Sequence, residues 1–308
     1  MSGHRPLPGL TTRAALASVA TALFLLALKG YATWATGSMA MLGSLADTGL
    51  DLVASLVTLY AVRHAAQPAD AEHRFGHGKA EALAALFQVM LISASAIAIL
   101  TGAVGRLASG ATTSAAGEGI AVSVAAIGAT LLLTAYQRRV IARTGSMAIG
   151  ADRLHYQSDL MLNLAVIAAL VLDQYAGLSG ADPLFGIAIA LWLAYGAWRS
   201  ATAAIDELMD KEWPEDKRRR VATIVNAQPT LKGMHDLRTR RSGTHDFIQF
   251  HVWVDPAMTV AAAHRAVEAA EAALAAEFPG VEVLIHVDPE GQIDTADSAL
   301  EALRETPE

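Results

Sequence analysis

Long runs of apolar residues alternate along this chain with short polar stretches. A helix needs about 20 apolar residues to cross the hydrocarbon core of a bilayer. Six segments meet that length: 14–34, 39–62, 80–107, 119–136, 147–175 and 183–204. Gly, Ala, Ser and Thr are frequent in them, which suits close helix contact where lipid supplies no hydrophobic drive between helices. Lys29, near the end of the first run, is placed to snorkel toward the interface. Past residue 204 the texture changes to a dense charge run over 206–220, followed by a soluble pattern. Helical periodicity marks 214–227 and 260–278, and strand-like alternation marks 233–241, 246–255 and 281–288, with a turn at Ser242–Gly243. The order αββαβ predicts an open sheet covered by two helices, ferredoxin- or metallochaperone-like. The pattern therefore predicts an all-α six-helix transmembrane domain over 13–208, preceded by a cytoplasmic segment 1–12. A small α+β cytoplasmic domain follows over 209–290, and an acidic, loosely ordered tail over 291–308.

Composition narrows the class. Hydrophobic residues make up 53% and mean hydropathy is +0.36, too apolar for an ordinary soluble protein. A formal charge of −7 gives no basic surface for nucleic acid. Cysteine is absent, which removes disulfides and thiolate metal sites together. The polar start has no cleavable-signal pattern, so the first apolar run is expected to stay in the membrane. Positive residues set the orientation. Arg5, Arg13, Arg63, Arg74, Lys79, Arg138, Arg139, Arg143, Lys211 and Lys217 through Arg220 fall on one side. The opposite loops hold little beyond Arg106, so both termini are expected in the cytoplasm.

Charges at bilayer depth are costly and mark ion or proton paths. Asp47 and Asp51 lie four residues apart on the second run and share a helical face. His155 and Asp159 repeat that spacing on the fifth, with Asn163 a turn further on as a supporting group. His155 reads as the only histidine at membrane depth, and Asp47, Asp51 and Asp159 as the only acids well inside a span. Three carboxylates and an imidazole suit a tetrahedral Zn²⁺, with Cd²⁺, Fe²⁺, Co²⁺ and Mn²⁺ as alternatives. The bland alternative is a set of unrelated structural polar pairs. The same ligands bind protons, so metal binding expels protons and release readmits them. Exporting a cation from an inside-negative cell costs about 2.3 kcal/mol per charge per 100 mV, which proton entry through the same site can supply.

Two further clusters stand out. In the loop after the second run, Asp70, His73 and His77 could fold round one cation, or form a basic headgroup loop. In the soluble domain, alternation leaves His251 opposite the Ile248/Phe250/Val252 face, and His286 and Asp288 outward on the last strand. His235 opens the first strand, and His264 lies on the helix stripe with Val260 and Val267, where a packed core histidine is the rival reading. His245, His64 and His4 read as incidental.

These residues resemble the cation diffusion facilitators. The D-x₃-D of Asp47/Asp51, the H-x₃-D of His155/Asp159 and the six-span plus αββαβ order carry the resemblance over nearly the whole chain. The segments HRFGHGKAE (73–81) and HDLRTRRSG (235–243) are similar to the bacterial zinc/iron(II)–proton antiporters of that family. The resemblance implies a secondary transporter rather than an enzyme: a homodimer in a bacterial inner (plasma) membrane that exports Zn²⁺, or Cd²⁺ or Fe²⁺, in exchange for protons. Asp47, Asp51, His155 and Asp159 would form the transport site, and Asp70, His73 and His77 a loop site. His235, His251, His264, His286 and Asp288 would form a binuclear cytoplasmic site that steadies the dimer. It further implies a Lys79–Asp210 pair at the hinge between the two parts. Rival readings are an intramembrane diaspartyl protease, an exporter of organic cations and a membrane-tethered metal sensor. The first offers His155 no role, the second wants more aromatic residues than the 6% present, and the third leaves the intramembrane acids unexplained.

Overall fold

The computed structural model describes residues 8–36, 39–109, 120–176 and 181–291. The expected tail, most of the 1–12 segment and His4 lie outside those residues. The chain divides into two compact units, helical up to Asp206 and α+β from Glu207 onward.

The helical unit contains α1 (Pro8–Thr36), α2 (Met39–Ala65), α3 (Ala80–Ser109), α4 (Ile120–Thr144), α5 (Met147–Ala176) and α6 (Ala181–Leu208). Among the described residues, four of these are long and apolar enough to cross a membrane: those holding Gly9–Ala35, Ser44–Ala65, Ala80–Ala108 and Pro183–Leu208. The sequence pattern predicted six. The other two helices are also long, and they carry charge: α4 bears Arg138, Arg139 and Arg143 near its end, and α5 bears Asp152, Arg153, His155 and Asp159.

α1 packs on α2 and α4, while α5 packs on α3, α4 and α2. Small side chains bring the helices together at Ala14, Ala15, Ala84 and Ala148, with Leu59, Val62, Val140 and Ile149 filling between them. α6 approaches α5 where Gly196 faces Leu154: a Cβ there would sit 2.9 Å from a Leu154 methyl. Buried polar groups knit the same helices. Asp152 is 0% exposed. It accepts from Ser18 Oγ (2.6 Å, α1), Gln137 Nε2 (2.8 Å, α4) and Gln88 Nε2 (3.2 Å, α3). Beside it, the Tyr156 hydroxyl pairs with Ser55 of α2 at 2.9 Å and donates to the Ser18 carbonyl at 3.2 Å. Asp152 is thus a further acid inside the helical unit. It corrects the expectation that Asp47, Asp51 and Asp159 are the only acids well inside a span.

The α+β unit runs α7 (Glu215–Asn226), β1 (Lys232–Ser242), β2 (His245–Val254), α8 (Val260–Glu277) and β3 (Val281–Pro289). Acids in the first turn suit the positive end of α7, and the Thr259 hydroxyl caps α8. The sheet order is β1-β2-β3, with β1–β2 antiparallel and β2–β3 parallel. Alternation on β2 works as the pattern predicted: Ile248, Phe250 and Val252 join Val221, Val225 and Leu274 of the helices in one core. The turn lies one residue later than expected, at Gly243–Thr244.

Candidate metal centres

The helical unit brings Asp51, His155 and Asp159 together, each offering a ligand atom within 4.8 Å of the others. His155 is positioned by its helix, whose buried neighbour Tyr156 is fixed to α1 and α2. Its Nε2 lies 2.9 Å from Asp51 Oδ1, both side chains being largely buried. A nitrogen and an oxygen at that separation share a hydrogen bond, so a cation that takes both atoms as ligands must displace the proton between them. Asp47 is not part of this convergence. It sits one turn before Asp51 on an exposed stretch of α2. Lys29 does not snorkel outward: its Nζ lies 2.7 Å from the Thr48 hydroxyl and 3.4 Å from the Ser44 carbonyl, beside Asp47 in sequence. Asn163 donates to the Asp159 backbone carbonyl at 2.7 Å, so it supports the helix turn rather than the carboxylate.

The loop after α2 gathers Asp70, His73 and His77 into a second cluster within the same 4.8 Å limit. Asp70 Oδ1 accepts the backbone N–H groups of His73 at 2.7 Å and Glu72 at 2.9 Å, an Asx turn that folds the chain back on itself. Those N–H groups, His73's foremost, hold the Asp70 carboxyl below its ordinary value. Gly76 takes a φ of 76°, open to glycine at little cost, which lets the chain turn between the two histidines. His77 Nε2 then lies 3.3 Å from Asp70 Oδ2, and His73 Nδ1 lies 3.6 Å from Asp70 Oδ1.

In the α+β unit, strand register builds a third cluster. His235 pairs across β1–β2 with His251, and His251 pairs across β2–β3 with His286, so three imidazoles stand in a row across the sheet. Asp288, two residues past His286 on the same face, reaches all three. Its Oδ2 lies 3.1 Å from His251 Nδ1 and 3.5 Å from His235 Nε2, and its Oδ1 lies 3.1 Å from His286 Nε2. His235, His251 and Asp288 meet the metal-ligand spacing. His264 does not join them. It projects from α8 on the core side of the sheet, 69% exposed and 3.5 Å from Glu268 of its own helix. Sequence reasoning missed Asp236, whose Oδ2 lies 3.9 Å from His251 Nε2 and whose backbone takes a φ of 51°, uncommon outside glycine. No periodicity signals that residue. Of the expected hinge pair, Lys79 lies in the helical unit, and Asp210 in the α+β unit has Arg240 Nη1 at 3.7 Å.

Residues 15–209 match the family model for the cation efflux transmembrane domain, and residues 213–290 match that for the cation efflux protein cytoplasmic domain. The chain is 47% identical over 280 residues to the cation-efflux pump FieF of Serratia proteamaculans (strain 568), covering 91% of this chain and 93% of that one. It is 43% identical over 287 residues to the FieF pump of Klebsiella pneumoniae (strain 342), covering 93% and 95%. The metal-bound C-terminal domain of the CzcD transporter from Thermotoga maritima is 29% identical over 26% of this chain and 93% of that one, with a TM-score of 0.25.

Proposed function

This chain belongs to the cation efflux family and is a transporter rather than an enzyme, and from that premise we propose that it exports Zn²⁺ in exchange for protons, with Cd²⁺ and Fe²⁺ as further substrates. The observation that carries the reading is the meeting of Asp51, His155 and Asp159 between α2 and α5. Hard carboxylate oxygens and a borderline imidazole nitrogen, with no thiolate available, suit Zn²⁺ and its neighbours.

Proton coupling follows from the contact between His155 and Asp51. At 2.9 Å the two atoms share a proton, and a cation binding both must displace it. Loading from the cytoplasm releases protons from the ligands, and protons arriving from outside expel the metal. Asp47 completes the set of four when α2 turns its exposed face into the crevice during alternating access about a midplane site. In this reading all six long helices cross the inner membrane and both termini are cytoplasmic. Two copies associate, in keeping with the dimer-forming cytoplasmic domain that matches residues 213–290. The cytoplasmic histidine row binds metal and steadies that dimer. The loop trio holds a third ion. Manganese or cobalt export is the nearest alternative, since the same donors accept those ions.

The test is zinc uptake into proteoliposomes driven by an imposed pH gradient. Asp51→Ala and Asp159→Ala are each expected to abolish flux while gel-filtration behaviour and helical content stay as in the parent. Flux that persists undiminished in either variant overturns the reading.

A further inference from the structure

The sequence pattern leaves His64 without a role, but the fold sets it against the loop cluster. His64 occupies the last turn of α2, and its ring lies 4.5 Å from that of His77, centre to centre. That is as near as His73, whose ring lies 4.6 Å from His77 on the same measure. Two imidazoles held by one tetrahedral zinc ion through bonds of about 2.0–2.1 Å have ring centres roughly 5 Å apart. Both spacings match that distance, and the ligand atoms already within 4.8 Å of one another are those of Asp70, His73 and His77, so His64 joins them by turning its ring. Tyr60, one helical turn earlier, stacks on the His64 ring at 5.9 Å and 6°, which holds the imidazole beside His77 rather than out in solvent.

His77 supplies a second, independent observation. Its side chain is 4% exposed. One ring nitrogen faces Asp70, and the other, Nδ1, is buried without a hydrogen-bond partner among the described residues. A polar atom sealed in this way is unfavourable to the fold.

We propose that His64 is a fourth ligand of the loop site, closing it with Asp70, His73 and His77 round Zn²⁺ or a similar divalent cation. The inference rests on reading the loop trio as a cation site and adds to it. Three protein donors would leave one position of a tetrahedral ion open to water and exchange, whereas four make a closed site of the structural kind. The ion then ties the end of α2 to the loop that leads into α3, and serves as a brace rather than as cargo in transit.

The experiment uses the full-length protein in nanodiscs, carrying Asp159→Ala and Asp288→Ala so that the loop is the remaining site. Zinc affinity is measured by competition with a chromogenic chelator, and the number of bound imidazoles by X-ray absorption at the zinc edge. The parent is expected to show three imidazoles. His64→Ala and His64→Phe, the latter keeping the stack on Tyr60, are expected to show two. Affinity should fall by at least about tenfold, the smallest loss usual even for an outer partner of a ligand. His64→Cys is expected to restore affinity and add a sulfur at about 2.3 Å. Two imidazoles in the parent, with His64→Ala binding as tightly and His77→Ala not binding, overturns the proposal. So does an affinity loss in His64→Ala with no change in imidazole number, which makes His64 an outside support. Binding that survives His77→Ala removes the loop site itself, a separate failure.

Discussion

Asp152→Ala tests whether the buried polar lattice around α5 stabilises the helical unit. The change removes the common acceptor of Ser18, Gln137 and Gln88. None of the three donors is orphaned, because each has another acceptor. Ser18 Oγ has the Ala14 carbonyl at 3.2 Å, Gln137 has Ser18 Oγ at 3.0 Å, and Gln88 has Thr58 Oγ1 at 3.1 Å and the Ala54 carbonyl at 3.3 Å. The loss is then three bonds and not three buried unsatisfied groups. At the roughly 0.6 kcal/mol average for side-chain bonds between membrane helices, that is about 2 kcal/mol. At about 1.5 kcal/mol, the upper end of the usual net range for a hydrogen bond, it is about 4.5 kcal/mol. Asp152→Asn keeps the volume and one acceptor oxygen but turns an amide toward a donor, so its loss should fall below that of Ala. The assay is unfolding of the purified protein in mixed micelles by increasing SDS fraction, followed by helical circular dichroism. The midpoint is expected to fall for Asn and further for Ala. A midpoint equal to or above the parent's in Asp152→Ala refutes the reasoning, because burying the carboxylate would then cost as much as its bonds return.

Two further outcomes follow from local geometry. A methyl group at Gly233 would sit 2.2 Å from the Trp253 ring at a φ of 50°. Gly233→Ala should therefore destabilise the α+β unit by about 2–5 kcal/mol, the sum of left-handed strain and overpacking. Because the His235 ring lies 5.2 Å from Trp253, the variant should also lower zinc binding at the histidine row, as read by competition titration. The Asp70 carboxyl is held below its ordinary value by backbone N–H groups. Its contribution to the loop is therefore present above the unfolded value near pH 4 and is lost as pH falls through the lower folded value. Exchange of the Glu72 and His73 amides should accelerate over that acid window, and in Asp70→Ala it should be fast at neutral pH as well.

The sequence made the ligand spacings readable wherever a regular element sets the geometry. Four-residue separations on α2 and α5 placed Asp51, His155 and Asp159 on facing stripes, and alternation on β2 put His251 opposite Phe250, because both periods are properties of the backbone. What remained hidden depends on contacts between distant residues. Whether His251 faces His235 and His286 is decided by strand register, to which no residue spacing within one strand refers. His264 was a candidate through the family resemblance while its helix stripe favoured a packed core histidine, and which face of the sheet α8 covers was not visible. Asp152 was masked by its place near the start of a polar turn, since burial of a single acid is set by the glutamines and serine of three other helices. His64 likewise shows no periodic signal, and its ring contact exists only because the loop folds His77 back onto the end of α2.

The difference between Asp51 and Asp47 bears on how transport works. They share a helical face and are separated by a rise of about 6 Å, so a small rotation or tilt of α2 decides whether one or both reach an ion held by α5. In the structure Asp51 is engaged with His155 through a proton while Asp47 stays outside, on a stretch of α2 held to α1 by Lys29. A divalent ion arriving at this point meets two costs together: displacement of the proton and movement of Asp47. Both are met by the same event if the metal recruits Asp47 as it expels the proton. If the chain exchanges metal for protons as proposed, protonation and coordination would select different settings of α2 against α5, and a site that cannot hold proton and metal together would couple their opposite movements without any further gate.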